Sequence, residues 1–204
     1  MLPMYQSEAL WMDFAASYPF ALKVAAGKIN AVSGEEWRPS IHRNPQDYLV
    51  IPEQPWLDGY AVGQGIIRQF VAAPLGKGLT AEEQLTGKAR FGGIQLAAYP
   101  MKRKAYQRHF PRRLRKITEP MMCCESSSEM GLAAGGKMRQ EIAQDHYDLD
   151  DWDVETTSRC FVHLCNSMVW REFTGGNPPT TPPTMKEYTD AGLPWFHYYD
   201  EALT

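Results

Sequence analysis

The sequence lacks the features that mark several large classes of protein. Its N-terminus has no cluster of positive charge followed by an apolar run, and no window approaches the 18 apolar residues of a membrane-spanning helix. Four cysteines in 204 residues are too few for a disulfide scaffold. The formal net charge of -3 gives no field that draws the chain to nucleic acid or anionic lipid. We therefore expect a cytoplasmic protein that binds neither membranes nor nucleic acid.

The short motifs of common enzymes are also missing. The sequence has no G-x-S-x-G turn, no G-x-x-x-x-G-K-[ST] loop, and no G-x-G-x-x-G segment that opens a helix after a strand. The segment from Gly63 to Gly65 leads into an apolar run, which is typical of a turn between strands. We assign no catalytic residue and expect no cofactor.

Two clusters of potential metal ligands have the wrong spacing. The acidic segment 148–153 (DLDDWD) carries Asp153 where a calcium loop requires glycine, so we interpret it as a solvated acidic turn. On a strand, Cys160 points away from His163 and Cys165, so the three side chains do not converge. We expect buried structural cysteines and no metal site.

The chain is rich in material for a hydrophobic core. Apolar residues make up 44% and aromatic residues 12%, with six Trp and ten Tyr, which argues against disorder over most of the chain. A chain of this length can bury one substantial core, so we expect a single domain over 1–204. Within it, 103–130 is predicted to be a variable or flexible insertion, and 118–136, poor in pattern, a linker.

Apolar runs bounded by Gly or Pro predict the strands. Runs at 48–51, 66–72 and 94–99 form the centre of the chain, and alternation at 20–24 predicts a hairpin that returns at 29–32. A second hairpin joins 60–62 to 66–71, with Gly63 and Gly65 expected at positive φ. We also predict a buried strand over 159–164.

The segment TAEEQLTG predicts a short helix from local signals alone. Thr80 is a capping residue, Glu83 completes a capping box three positions later, and Gly87 closes the end. Similar signals predict a helix capped by Asn166 or Ser167 and another after Thr184. The fold class we expect is therefore α+β, mostly antiparallel sheet in a sandwich or flattened barrel, with a few short peripheral helices.

Charge is concentrated in two opposed segments. Eight Lys or Arg lie within 102–116, and seven Asp or Glu lie within 141–155. Interleaved aromatic residues in the first segment suit nucleic acid, but the acidic segment of similar size favours mutual neutralisation on the surface.

Aromatic residues supply the main candidates for binding. We place Trp56 and Tyr60 on a loop and Trp195 and Tyr198 in an aromatic C-terminal tail that we expect to pack on the sheet. Together with Arg68 and Glu82, they are our candidate ligand-binding residues. The function we expect is a non-enzymatic interaction or ligand-binding domain that uses an aromatic surface or cleft, with a protein partner or self-association.

The alternative is an enzyme, of a hydrolase-like kind, whose site is assembled from residues distant in sequence. Its candidates are Arg68, Glu82, Glu83, Asp153 and His163. Glu82 and Glu83 also suit a simpler role, since acidic residues in the first turn interact favourably with the helix dipole.

Several long strings carry a resemblance to a known family. They are IRQFVAAPLGKGLTAEEQLTG (67–87), GGIQLAAYPMK (92–102), GKMRQEI (136–142), SRCFVHLCNS (158–167) and TPPTMKEYTDAGLPWFHYYD (181–200). With these strings the chain resembles a family of uncharacterised bacterial and fungal proteins, over most of its length except 103–130. The resemblance implies kinship and a shared fold, and it carries no activity with it.

Overall fold

A computed structural model describes residues 1–6, 8–111 and 137–181, together with Lys186 and Asp190. Within these residues, no helix has both the length and the apolar character needed to cross a membrane. The linker predicted at 118–136, the capping box at Thr184 and the aromatic tail around Trp195 fall largely or wholly outside the described residues, so these predictions stay open.

Short strands dominate the chain. In order they are β1 (Leu2–Pro3), β2 (Ala9–Leu10), β3 (Met12–Asp13), β4 (Phe20–Ala26), β5 (Ile29–Asn30), β6 (Leu49–Ile51), β7 (Trp56–Leu57), β8 (Gly59–Gly63), β9 (Ile66–Val71), β10 (Ile94–Pro100), β11 (Lys137–Arg139), β12 (Ser158–Val162) and β13 (Leu164–Cys165). The helices are α1 (Ala81–Thr86), α2 (Arg103–His109) and α3 (Ser167–Thr174), and a 3-10 turn covers Leu149–Asp151.

The largest sheet is built around β4. One edge of β4 pairs along its length with β10, which in turn pairs with β12. The other edge pairs with β6 near its start and with β5 near its end. All of these pairings are antiparallel, and the order β12-β10-β4-β5 is that of an open sheet. The predicted α+β class, mainly antiparallel with short helices, is confirmed.

A second sheet is built around β9. It pairs with β8, β11 and β2, and the sheet has the order β11-β9-β2 with β8 also paired to β9. The predicted hairpin between β8 and β9 is confirmed, and Gly65 has a φ of 67°. The expectation for Gly63 was wrong, because this residue lies at a register shift of β8 and has no positive φ. Two small pairs complete the topology, β3 with β7 and the parallel pair β1 with β13.

The alternation predicted for β4 separates two hydrophobic clusters. Leu22 and Val24 belong to one cluster, which includes Leu49, Ile51 and Phe70. Ala21 belongs to the other, which includes Tyr48, Tyr99 and Trp152. Because successive side chains of a strand point to opposite faces, β4 is buried on both sides and forms the centre of the fold.

Lys23 is a charged residue at this centre, and its side chain is fully buried. Its Nζ donates to Asp47 Oδ2 at 2.6 Å, to the Ser40 carbonyl at 2.5 Å and to the Arg38 carbonyl at 2.9 Å. Burial lowers the pKa of Lys23, and the neighbouring Asp47 carboxylate opposes this effect. All three hydrogens of the ammonium group are therefore used inside the protein.

Helix α1 forms as its local signals predict. The Thr80 side chain accepts a hydrogen bond from the Glu83 N–H, the Glu83 carboxylate accepts from the Thr80 N–H, and Gly87 adopts the left-handed conformation at φ 68°. Helix α3 also begins where it was predicted, and of the two candidate caps it is Asn166 that accepts from the N–H groups of Met168 and Val169.

Helix α2 connects the basic segment to the acidic one. Arg108 Nη2 and His109 Nε2 lie 2.5 Å and 2.8 Å from the carboxylate oxygens of Asp151. Asp151 and its neighbour Trp152 are buried, so the interpretation of 148–153 as a solvated turn was wrong for these two residues. The cause is tertiary, because α2 supplies both the cover and the partners. The insertion predicted at 103–130 thus begins with a helix whose Ala105 is buried, and its residues 112–130 lie outside the described part.

Strand β12 lies at an edge, and its side chains are mostly exposed. The strand predicted over 159–164 is present, although the structure breaks it at His163. The prediction that this strand is buried was wrong. Cys160 is exposed and Cys165 half-buried, so the expectation of buried cysteines was also wrong. The apolar residues of this segment do not indicate that, within the described residues, β12 pairs with a single strand, β10.

Candidate functional site

A cavity of about 480 Å³ lies beside the turn between β4 and β5. Its walls come from elements far apart in sequence, namely the start of the chain, the β8–β9 hairpin, the segment after β9, helix α1 and β13. The lining residues are Met4, Gln6, Leu10, Ala26, Gly27, Tyr60, Phe70, Val71, Ala72, Ala73, Pro74, Leu75, Leu79, Thr80, Ala81, Glu82, Gly92, Gly93, Ile94, Leu164, Cys165 and Asn166. Most of them are apolar, so the cavity favours an apolar occupant.

One wall is a rigid aromatic pair. The rings of Tyr60 and Phe70 meet edge to face with their centroids 4.8 Å apart, which is a favourable geometry for aromatic rings. Phe70 packs into the core cluster of the sheet, and Tyr60 packs against the same cluster. The pair therefore joins the cavity wall to the hydrophobic core.

Glu82 supplies the charged group of the cavity. Its Oε1 accepts hydrogen bonds from the N–H groups of Arg90 at 3.0 Å and Phe91 at 2.8 Å, and its Oε2 accepts from Gly92 N–H at 2.8 Å. The residue is only 3% exposed although it occupies the first turn of a six-residue helix. Glu82 thus turns away from α1 and holds the segment that leads into β10. The simpler role in the helix dipole does not describe its contacts.

Gly27 allows the close approach of this carboxylate. It has a φ of 57°, and a Cβ atom placed on it would lie 2.7 Å from Glu82 Cβ and 2.8 Å from Glu82 Oε2. Any larger residue would therefore need the carboxylate to move. The turn between β4 and β5 and the start of α1 are in direct contact through this glycine.

The Tyr60 hydroxyl lies in the same electrostatic environment. Burial raises the pKa of Tyr60, and the negative charge of Glu82 raises it further, so the phenol stays protonated at neutral pH. Its hydrogen bond to the Ala26 carbonyl is long, at 3.5 Å. The polar end of the cavity therefore contains a carboxylate, a phenol and a backbone carbonyl.

A smaller pocket of about 200 Å³ adjoins this end, because Gly27 and Glu82 line both spaces. Lys28, Lys88 and Arg90 also line it. Two of these cations interact with the Phe91 ring, with Lys28 Nζ 3.8 Å and Arg90 Cζ 5.2 Å from its centroid.

The structure brings together two of the predicted ligand-binding residues. Tyr60 and Glu82 both line the cavity, and neither Trp56 nor Arg68 does. Trp56 lies on β7 and Tyr60 on β8, so the loop predicted for both is a pair of short strands. Arg68 lies on β9 opposite Tyr60 in register. Trp195 and Tyr198 lie outside the described residues.

The residues of the enzymatic alternative are dispersed. Glu83 belongs to the capping box, Asp153 accepts from the N–H groups of its own turn, and His163 contacts the ring of Phe161. Among the described residues, no hydrogen bond or ion pair connects any two of Arg68, Glu82, Glu83, Asp153 and His163. In the same ranges, no three His, Cys, Asp or Glu side chains lie close enough to hold a metal ion.

Sequence reasoning missed most of the cavity lining. Gly27 was not among the candidate residues, and Leu164 and Cys165 were considered only as parts of a strand segment. The adjacent glycines 92 and 93 at the start of a strand were the one local signal, since both have positive φ and allow close approach of the backbone. No local pattern indicates that β13 pairs with β1.

Comparisons of the chain with protein-family models, with curated proteins and with solved structures find no match. The resemblance to a bacterial and fungal family therefore stays a prediction, and the cavity must be interpreted from its own geometry.

Proposed function

We propose that this chain is a binding protein that holds a small, mainly apolar molecule in the cavity between α1 and the two sheets. The observation that carries the proposal is the cavity itself, whose volume of about 480 Å³ suits such a ligand. Ligand sites are typically concave spaces of about 300–1,000 Å³, mostly apolar, with a few polar groups that orient the ligand.

The arrangement of the lining supports this function. Apolar side chains from separate parts of the chain converge on the cavity, and its charged lining residue is Glu82. Such a lining suits an apolar ligand that carries one polar group. The Tyr60–Phe70 pair on the cavity wall supports a binding site of the aromatic kind expected from the sequence.

A dye titration tests the proposal directly. Nile red, a neutral apolar dye, is expected to bind the purified chain and to gain fluorescence. Ala73→Phe places a bulky ring on the cavity lining and should weaken binding at least tenfold, equivalent to about 1.4 kcal/mol. Ala15→Phe makes the same change at an exposed position outside the lining, and it should leave the affinity unchanged.

Melting curves of both variants show whether the fold is retained. If the wild-type chain does not bind the dye, or if Ala73→Phe binds it as well as Ala15→Phe does, the cavity is not a ligand site.

A second candidate function is contact with a protein partner or with a second copy of the chain. Within the described residues, helix α3 buries none of its side chains, and Met168 and Phe173 are more than 70% exposed at 73% and 72%. Apolar side chains of this size are common at protein interfaces. Light scattering across a range of concentrations tests self-association, which Phe173→Ser should weaken and the exposed-site change Leu85→Ser should not.

A further inference from the structure

The polar end of the cavity specifies which apolar molecules it accepts. This step rests on the proposed function, since it concerns the ligand of the same cavity. We propose that the ligand carries a protonated amine, and that Glu82 binds this group.

The buried carboxylates differ in whether a cationic side chain pairs with them. Asp47 is paired with Lys23, and Asp151 is paired with Arg108 and His109. In the described part of the chain, Glu82 forms no ion pair, although Lys28, Lys88 and Arg90 line the smaller pocket that it also lines. Its hydrogen bonds come from backbone N–H groups. A buried carboxylate is stabilised most when a cation also approaches it.

Asp145 is the useful comparison, because it is also buried and forms no ion pair with another described residue. Its carboxylate accepts from the Tyr48 hydroxyl and from Trp152 Nε1, both of which belong to a packed cluster. Glu82 differs from Asp145 because it lines an open cavity. The hydrogen-bond donors of Asp145 belong instead to the packed cluster.

The two oxygens of the Glu82 carboxylate differ in the number of hydrogen bonds that they accept. A carboxylate oxygen has two lone pairs, and Oε2 accepts one described hydrogen bond, from Gly92, while Oε1 accepts two. Gly27 packs closely against Oε2 on the side of the turn, where a Cβ atom would lie 2.8 Å from this oxygen. Oε2 therefore keeps one lone pair without a described hydrogen-bond donor, beside a residue that lines the cavity.

The donors of an ammonium group match the acceptors near Glu82 in the cavity. A primary ammonium group has three N–H donors and no acceptor. The polar end offers three oxygen acceptors, which are Glu82 Oε2, the Tyr60 hydroxyl and the Ala26 carbonyl. An anionic head group would be repelled by the negative charge of Glu82, and a hydroxyl would offer one donor and no opposite charge.

A metal ion fits this site less well. Calcium requires six to eight oxygen ligands, and the cavity lining provides one carboxylate. The acceptors also lie at the end of a mostly apolar space, so the chemistry favours a cation attached to an apolar chain.

A matched ligand series tests the inference on the unmodified protein. Octylamine, 1-octanol and octanoate have the same chain length and differ in the head group. In displacement of Nile red below their micelle concentrations, octylamine should bind at least tenfold more tightly than 1-octanol, and octanoate should bind most weakly.

Two variants then assign the preference to the proposed groups. Glu82→Gln should reduce the preference for octylamine over 1-octanol to less than threefold, because it removes the charge. Glu83→Gln makes the same change in net charge outside the cavity lining, and it should retain the preference. Tyr60→Phe should weaken octylamine more than 1-octanol.

The outcomes separate the two proposals. If Nile red does not bind, the proposed function fails. If the dye binds but 1-octanol or octanoate displaces it as well as octylamine does, the cavity is a ligand site and the amine inference is wrong. If Glu82→Gln does not fold, the ligand series on the wild-type chain still decides the inference.

Discussion

Replacing Lys23 tests how the centre of the fold tolerates its buried charge. Lys23→Met removes an ammonium group that donates to one carboxylate and two carbonyls. It leaves the Asp47 carboxylate buried without its cationic partner on β4 and two backbone acceptors without this donor. Breaking a buried ion pair on one side typically costs about 3–5 kcal/mol. The loss is large against the roughly 5–15 kcal/mol that stabilises a typical domain.

Urea unfolding followed by tryptophan fluorescence measures this loss, because Trp152 is buried in the adjacent cluster. Lys77→Met is the control, since it makes the same chemical change at an exposed loop position and should alter the free energy of unfolding by less than about 0.5 kcal/mol.

Asp47→Asn completes a double-mutant cycle. It neutralises the carboxylate and keeps an oxygen that can accept from the His42 N–H, which lies 2.7 Å from Oδ1. Lys23→Met combined with Asp47→Asn should cost clearly less than the sum of the two single changes, because neither charge is then buried alone. A cost below about 1 kcal/mol for Lys23→Met, or strict additivity of the two changes, would refute the reasoning.

Three further predictions concern other parts of the fold. Thr80→Ala removes the capping side chain of α1 and should lower the free energy of unfolding by about 1 kcal/mol, whereas Thr80→Ser should retain most of it. Asp151→Asn should cost roughly 1–3 kcal/mol at neutral pH. Burial opposes ionisation of Asp151, but hydrogen bonds from His109 and Arg108 outweigh it and lower the pKa below 3.8, so this contribution is complete above that value. It is lost as the pH falls through the lowered pKa, where the wild-type and Asn chains should unfold alike; a constant difference across pH would contradict the assignment. Gly59→Ala should lower the free energy of unfolding by at least about 2 kcal/mol, because its Cβ would lie 1.9 Å from the Arg68 carbonyl oxygen. Gly63→Ala on the same strand is the control, since its Cβ would meet nothing within 4 Å. Equal losses of stability in the two variants would contradict this explanation.

The sequence predicted those elements whose signals are local. The capping box of α1 lies within eight residues, so Thr80, Glu83 and Gly87 identify the helix without knowledge of its surroundings. The alternation in β4 likewise follows from one strand, and it correctly separated the residues of the two core clusters.

Elements that depend on distant partners were not predictable in this way. Glu82 has the sequence context of a surface residue in a first helical turn, and its role appears only when residues 90–92 bring their N–H groups to it. Asp151 is buried because α2 lies over it. The segment of β12 looks apolar enough for a core, but its position at a sheet edge leaves Cys160 exposed.

The two candidate binding residues that line the cavity are also far apart in the sequence. Tyr60 and Glu82 were chosen for unrelated reasons, one as an aromatic group and the other as a carboxylate. The structure places both on one cavity because the β8–β9 hairpin and α1 both border the turn at Gly27.

The pairing of β1 with β13 has a consequence for how the chain becomes able to bind a ligand during synthesis. The two strands lie at opposite ends of the described fold, and the Leu2 carbonyl and Cys165 Sγ, 3.7 Å apart, are separated by 163 positions. Contacts this distant form slowly, since a long loop must close before they contribute. Met4 and Leu10 emerge from the ribosome before Leu164 and Cys165, which share the same cavity lining. A nascent chain therefore displays the apolar lining as open surface until translation has passed β13, and such a surface is prone to aggregate or to engage chaperones. Ligand binding in this cavity would thus report that the chain has finished folding.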